Sequence, residues 1–429
     1  MKYFITLFGA VMLLGSCRQA AEPIPDGKLT MGSPESEGLS PDRLDGISRM
    51  LDQAVTDGHV PGGVALIARN GKVVYHYAFG MSDIQNNRSF SKEAIFRIAS
   101  QTKAITATAV MMLWEEGRFR LDDPISRYIP EFKEPHVITG FDEKDTTFTA
   151  EPAGMEITIR HLLTHTSGIG YGVIDRDPRF RMIYKKAGIT DLFTTEDIPI
   201  ETSVLKLAEL PLHHKPGENF TYSEGLDVLG YFVEVLTDMP FDSFLRERIF
   251  DPLGMDDTWF YLPESRAGRL VPVQHLKDGQ WEHYPVTFYD PDYPVKGARR
   301  FFSGGAGLSS TPMDYAVFLQ MYLNKGEYNG IRLLSRTTVE TMMANQIGDL
   351  WANGPKDYGL AFGLVNQDGV GFGGQGGLGT FDWGGYFNTQ YFADPGEQLI
   401  GILMKQTQGA PSDQTGWKFR QMTFASVDD

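Results

Sequence analysis

The chain has 429 residues, 41% hydrophobic and 22% charged, which is enough for one large domain or two modest ones with a proper core. Its formal net charge of −16 excludes nucleic acid as the primary partner, because phosphate recognition needs a basic face. A single cysteine excludes an intrachain disulfide and any metal site built on cysteine.

The opening residues, "MKYFITLFGAVMLLGSC", carry Lys2, an apolar run from Phe4 to Leu14, then Gly15 and Ser16 before Cys17. That run is too short to cross a bilayer, which needs about 20 apolar residues, and it reads as a secretory signal. Leu14-Gly15-Ser16-Cys17 resembles a bacterial lipobox, in which cleavage leaves Cys17 at the new N-terminus and lipidated. This predicts residues 1–17 as a lipoprotein signal and an exported protein held at the cell envelope by a lipid anchor. A plain signal with an incidental cysteine is the alternative. Residues 18–38 are polar and rich in Pro, Gly and Glu, the composition of a flexible tether.

Ser40-Pro41 then opens a helix, with Leu44, Ile47, Leu51 and Val55 at helical spacing and Gly58 as its end. In "GGVALIARNGKVVYHYAFG", two β-branched runs flank Asn70-Gly71, a strong hairpin signal. "SQTKAITATAVMMLWEEG" reads as a helix with an apolar face of Ile105, Ala109, Met112 and Leu113. The middle of the chain, about 113–299, gives helical runs at 158–164, 203–210, 226–237 and 241–249, with few strand patterns. Near the C-terminus, "GTFDWGGYFNTQYFADPGEQLIGILMKQ" reads as two strands joined at Asp394-Pro395-Gly396-Glu397, followed by a terminal helix. Each end of the folded region is thus a helix plus a hairpin. The simplest assembly is α/β (α+β): one antiparallel sheet from both termini, flanked by helices. It gives a folded body over 39–425, with an α/β lobe at about 39–112 and 300–425 and a mostly helical lobe at about 113–299.

Ser100 sits at the start of its helix and Lys103 lies three residues on, along the same face. A serine hydroxyl is a weak nucleophile until a base takes its proton, and a lysine amine serves when burial disfavours its charged form. The helix start adds positive potential that favours negative charge on the attacking oxygen. The S-x-x-K spacing alone is equally a helix cap beside a solvated lysine. Its companions decide: Tyr222 in "NFTYSEGLDVLGYF", Trp383-Gly384-Gly385 in "FDWGGYF", "HLLTHTSGI" and "FFSGGAGLSSTPMDYAVFL".

Together and in this order, these strings resemble the serine β-lactamase and penicillin-binding-protein superfamily. The resemblance spans about residues 40–420 and is nearest to the branch holding family VIII carboxylesterases, class C β-lactamases and D-amino-acid-processing peptidases. It implies a β-lactamase/transpeptidase-like fold and a serine hydrolase without metal or cofactor. In it Ser100 is the acylated nucleophile, Lys103 its activating base and Tyr222 the proton relay to the leaving group. The backbone amides of Ser100 and Tyr386 form the oxyanion hole, and Gly384-Gly385 let the substrate approach.

Two positions depart from the superfamily pattern. Glu224 stands where the tyrosine motif usually has asparagine, and Trp383-Gly384-Gly385 replaces a Lys-Thr-Gly strand. A lost cation and a new anion disfavour substrates with a carboxylate near the scissile bond, and Trp383 offers a flat apolar wall suited to a neutral ester. The expected substrate is a small ester, amide or β-lactam. A carboxylesterase leads, and a β-lactamase or D-Ala-directed peptidase follows. A non-catalytic envelope binding protein of the same fold is the rival of another class, with Glu224 as its motive. Glu224 either sits beside Lys103 and keeps it charged, leaving Tyr222 as main base, or points away and caps the helix that follows.

Three weaker signals have blander readings. Gly374-x-Gly376-x-x-Gly379 precedes a strand rather than a helix, so it reads as a loop and not a dinucleotide motif. His213-His214 has no third ligand at metal spacing. His161 and His165 read as buried supports under the site.

Overall fold

The computed structural model describes residues 29–351 and 354–429; Cys17, the signal segment and residues 18–28 lie outside the described residues. A nine-stranded sheet runs through the molecule. Its strands are β1 (Thr30–Met31), β2 (Gly62–Arg69), β3 (Lys72–Asp83), β4 (Lys356–Tyr358), β5 (Gly363–Val365), β6 (Phe381–Gly385), β7 (Thr389–Asp394) and β8 (Leu399–Met404), with Arg88–Ser89 paired to β3 off the main path. The order across the sheet is β1-β3-β2-β8-β7-β6-β5-β4.

Local chemistry makes the two hairpins. Asn70 and Gly71 both take left-handed backbone angles (φ 52° and 75°), the geometry that turns β2 into β3. Asp394 closes the β7–β8 turn by accepting the amides of Gly396 and Glu397. The hairpins then join edge to edge, with β8 antiparallel to β2 from Leu399 opposite Arg69 to Met404 opposite Val64.

Both faces of these central strands are covered. Ala65 and Ile67 of β2 pack with Leu403 of β8 against α1 (Pro41–Thr56) and α4 (Thr415–Ala425), through Leu44, Ile47 and Phe419. Val64, Leu66 and Ala68 point the other way, to the main core with α2 (Thr102–Glu115) and α3 (Pro312–Leu323). Hence β2 reads as a continuous apolar run rather than an alternation. Helix α2 is buried on all sides rather than along one face, from Thr102 through Leu113. Its polar positions are satisfied internally: Thr106 donates to the Gly304 carbonyl and Thr108 pairs with the Tyr322 hydroxyl.

Several expectations need adjusting. Within the expected tether, residues 29–38 lie against the body. The Leu29 amide donates to the Tyr328 hydroxyl, and β1 pairs in parallel with β3, so the sheet is not wholly antiparallel. Ser40 occupies the N-cap position of α1, but its hydroxyl makes no capping bond, and its amide donates to the Ser426 carbonyl instead. The middle of the chain holds two hairpins that the sequence does not announce, His136–Asp142 with Thr147–Pro152 and Gln274–Lys277 with Gln280–His283. They lie apart from the main sheet and are largely half-buried or exposed, so no buried face imposes an apolar period. No helix among the described residues is long and apolar enough to cross a membrane.

Candidate active site

The path into Ser100 begins at the short strand Phe96–Arg97, paired with Ser309–Ser310. Ala99 then takes a left-handed conformation (φ 43°) although it is not glycine, a strained position held because the residue is completely buried. The chain turns through a 3₁₀ segment, Ala99–Gln101, into α2. Ser100 therefore projects from the first turn, where backbone amides have no intrahelical acceptor.

Lys103 is 1% exposed and makes no ion pair among the described residues. Its amine contacts three oxygens: Tyr171 Oη at 2.8 Å, the Gly305 carbonyl at 2.8 Å and Ser100 Oγ at 3.4 Å. The two short contacts hold the amine in place, and its third and longest contact is the serine hydroxyl. The amine therefore lies within reach of the serine proton.

Tyr222 lies alongside, with its ring 4.7 Å from Lys103 Nζ. Trp383 Nε1 donates to Tyr222 Oη at 3.3 Å, so Trp383 orients the phenol as well as walling the cleft. An oxygen that accepts from Trp383 keeps its own O–H for donation. His165 supports Tyr222 from beneath, with ring centroids 4.5 Å apart. Its Nδ1 accepts from the Ser223 amide at 3.2 Å, and burial first, then the charge of Lys103, hold its basicity well below that of ordinary histidine.

The end of β6 reaches Ser100 through a contact that only glycine permits. A Cβ on Gly385 would lie 2.3 Å from Thr389 Oγ1 and 2.4 Å from the Ile98 carbonyl. Tyr386 follows at once, and Gln408 holds its peptide by donating to the carbonyl at 2.8 Å. A cleft of about 630 Å³ is lined by Ser100, Tyr222, Trp383, Gly384, Gly385 and Tyr386, among others. A second lobe of about 670 Å³ continues past Tyr222 and Trp383 towards Asp175 and His213. Ser100, Tyr222, Trp383, Gly384, Gly385 and Tyr386, separated by up to 286 positions, line one locality, with Lys103 directly behind Ser100.

Glu224 is the exception. It lines neither lobe, and it makes no capping bond to the helix it precedes, Gly225–Thr237. Its side chain is 1% exposed, packed toward Asp191, which accepts the Gly172 and Val173 amides. Burial first, then the charge of Asp191, pushes its carboxyl well above the usual range, which favours the protonated form. The expected anion beside the substrate is therefore a neutral structural acid. Of the two sequence alternatives, Glu224 makes no ion pair with Lys103 among the described residues, and although it points away from the cleft it makes no cap on the helix that follows.

A residue raised in the folded state stabilises the fold fully below its ordinary value, here 4.5, and that contribution is lost as pH rises. Glu224→Gln removes the dependence while keeping a neutral side chain of the same size in the buried site. Its melting temperature should gain on wild type as pH is raised from about 4 to about 8, with kcat/KM within about threefold of wild type. A large activity loss in Glu224→Gln would return Glu224 to the chemistry.

Tyr171 is the residue that sequence reasoning missed. It is buried, and its hydroxyl is one of the two close partners of Lys103; burial first, then neighbouring charge from Tyr222 and Asp227, holds it well above ordinary tyrosine, so it stays a phenol. The only local signal is the tight "GIGYG" turn in which it sits. His213 pairs with Asp175 at 3.0 Å, and His214 Nε2 with Thr221 Oγ1 at 3.0 Å; no group of three or more His, Cys, Asp or Glu among the described residues could hold a metal. The Gly374–Gly379 loop leads directly into β6.

A serine and a lysine one turn apart, a tyrosine beside them and a glycine-lined strand closing the cleft define a serine hydrolase of the β-lactamase/transpeptidase fold. The Beta-lactamase family model matches residues 47–422, and the chain belongs to that family. Esterase EstB of Burkholderia gladioli is 31% identical over 388 residues, which span 85% of this chain and 90% of that protein. The lovastatin esterase of Penicillium rubens is 28% identical over 382 residues, covering 81% and 89% respectively. Among solved structures, EstCE1, described as a hydrolase with promiscuous acyltransferase activity, is similar with a TM-score of 0.76 at 26% identity, covering 89% of this chain and 98% of that one.

Proposed function

We propose that this chain is a carboxylesterase-like serine hydrolase that cleaves a small-molecule ester through an acyl-enzyme on Ser100. The observation that carries the reading is the amine of Lys103, with two of its positions taken at 2.8 Å and its third turned to Ser100 Oγ. Lys103 takes the serine proton as Ser100 Oγ attacks the ester carbonyl. The amides of Ser100 and Tyr386 receive the developing oxyanion. Tyr222 delivers a proton to the departing alkoxide, and a water admitted in its place is deprotonated by the same groups and releases the acid. Trp383 presents an apolar wall to the acyl or alcohol group, consistent with the esterase names carried by the two relatives.

A β-lactamase or D-Ala-directed peptidase is the second reading, and one observation favours it. Lys356 and Arg420 both line the cleft, so cations are present near the strand after all, although both are paired with Asp382 at 2.6 and 2.5 Å. The non-catalytic reading loses its motive once Glu224 is off the cleft wall. Export and lipid anchoring through Cys17 complete the proposal and rest on the N-terminal sequence. Turnover of short-chain p-nitrophenyl esters, compared with nitrocefin and D-Ala-D-Ala peptides, separates the readings. The wild type should form a fluorophosphonate adduct by intact mass that Ser100→Ala lacks; an unlabelled wild type would favour a binding protein.

A further inference from the structure

The buried amine of Lys103 has no carboxylate within ion-pairing distance among the described residues, yet one acid lies just behind the turn that holds it. Asp227, in the first turn of the Gly225–Thr237 helix, is 3% exposed. Its Oδ1 accepts the Ser303 hydroxyl at 2.5 Å and the Gly305 amide at 3.2 Å. Ser303 Oγ itself accepts the Ala306 amide at 3.0 Å, so its own proton is committed to the carboxylate. Asp227 Oδ2 is buried without a hydrogen-bond partner and lies so close to Gly305 that a Cβ there would come within 2.3 Å of it. The carbonyl of the same Gly305 accepts from Lys103 Nζ at 2.8 Å. One residue, Gly305, thus lies between carboxylate and amine.

We propose that Asp227 is a positioning residue for the catalytic lysine: it clamps the Ser303–Ala306 turn that seats Lys103 and supplies the buried negative charge that sets how tightly Lys103 holds its proton. The inference rests on the acyl-enzyme reading above. Burial pushes Asp227 up, while the Ser303 hydroxyl first and then the charge of Lys103 draw it back down; the interaction is reciprocal, so a charged Asp227 favours the ammonium form of the lysine. The other groups facing Lys103 do not replace it. Tyr171 and His165 are held neutral by burial, Glu224 keeps its proton, Tyr222 presents its ring, and Asp191 is engaged by the Gly172 and Val173 amides.

The test is the pH profile of kcat/KM for p-nitrophenyl acetate in wild type, Asp227→Asn and Ser303→Ala, with thermal melting of each. Asp227→Asn keeps an acceptor for Ser303 and Gly305 but removes the charge. The limb governed by Lys103 should move to lower pH by on the order of one unit. That limb is the acid one if the free amine is the base, and the alkaline one if the ammonium must persist to support Tyr222; the sign is the same. Ser303→Ala should shift the same limb less, in the same direction. A uniform loss of kcat/KM at all pH values with unmoved limbs would mean a merely structural role and overturn the proposal, as would profiles identical to wild type. If Asp227→Asn does not fold, the Ser303→Ala profile decides alone by the same criteria. If wild type cleaves no ester, the esterase reading fails separately, and the same limb is followed in the rate of fluorophosphonate labelling of Ser100.

Discussion

Lys103→Met should lower kcat/KM for short-chain esters by about 10³-fold or more, in line with the contribution of a positioned general base to an otherwise weak nucleophile. Methionine fills most of the volume without a polar atom, so the buried site is not left with a large cavity. The Gly305 carbonyl and Tyr171 hydroxyl each lose a partner at 2.8 Å, and the fold should weaken by about 1–3 kcal/mol. The two effects separate cleanly, because a modest stability loss leaves the folded fraction near unity well below the melting temperature. The labelling rate of Ser100 by a fluorophosphonate should fall in parallel with turnover, since both require a deprotonated hydroxyl. A loss under about tenfold would show that Tyr222 alone suffices as the base, and the lysine would then be a structural donor to Tyr171 and Gly305.

Gly385→Ala should be nearly as damaging, through position rather than chemistry. The new methyl would sit 2.4 Å from the Ile98 carbonyl and 2.3 Å from Thr389 Oγ1. The threonine can rotate, but the carbonyl belongs to the backbone that leads into Ser100. Strand β6 must therefore move away from the serine, taking the Tyr386 amide with it. An oxyanion donor displaced by a fraction of an ångström loses most of its worth, and kcat should fall by about 10²–10³-fold with KM little changed. Gly384→Ala is the matched control. Its methyl would meet only the Thr389 carbonyl, at 3.1 Å, and the loss should stay under about tenfold. Equal effects at the two glycines would show that strand proximity to Ile98 does not govern the oxyanion hole.

The parts of this protein legible in its sequence share one property: their physics is local. The three-residue spacing of Ser100 and Lys103 puts both on one helix face whatever surrounds them. Asn70-Gly71 sets a hairpin by its own backbone preferences, and Asp394 makes the β7–β8 turn with amides two and three residues away. The misread features are those where the answer depends on burial. Glu224 looks like an anion because glutamate usually is one; its neighbour Asp191, 33 positions earlier, and its complete enclosure make it neutral. Helix α2 looks amphipathic by its leucine and isoleucine positions, yet its threonines are also inside, each satisfied by a partner from a distant segment.

Tyr171 and Asp227 show the same limit from the other side. Each is unremarked in its own stretch, and each acquires a role because the chain brings a lysine, or the turn that holds it, to its side chain. The sequence by itself determined which groups exist, in what order, and which of them face the same way within one turn of helix or one strand. Only the tertiary structure decided which are charged, which are covered and which touch, since desolvation and contact are properties of the packed interior and are not encoded at any single position.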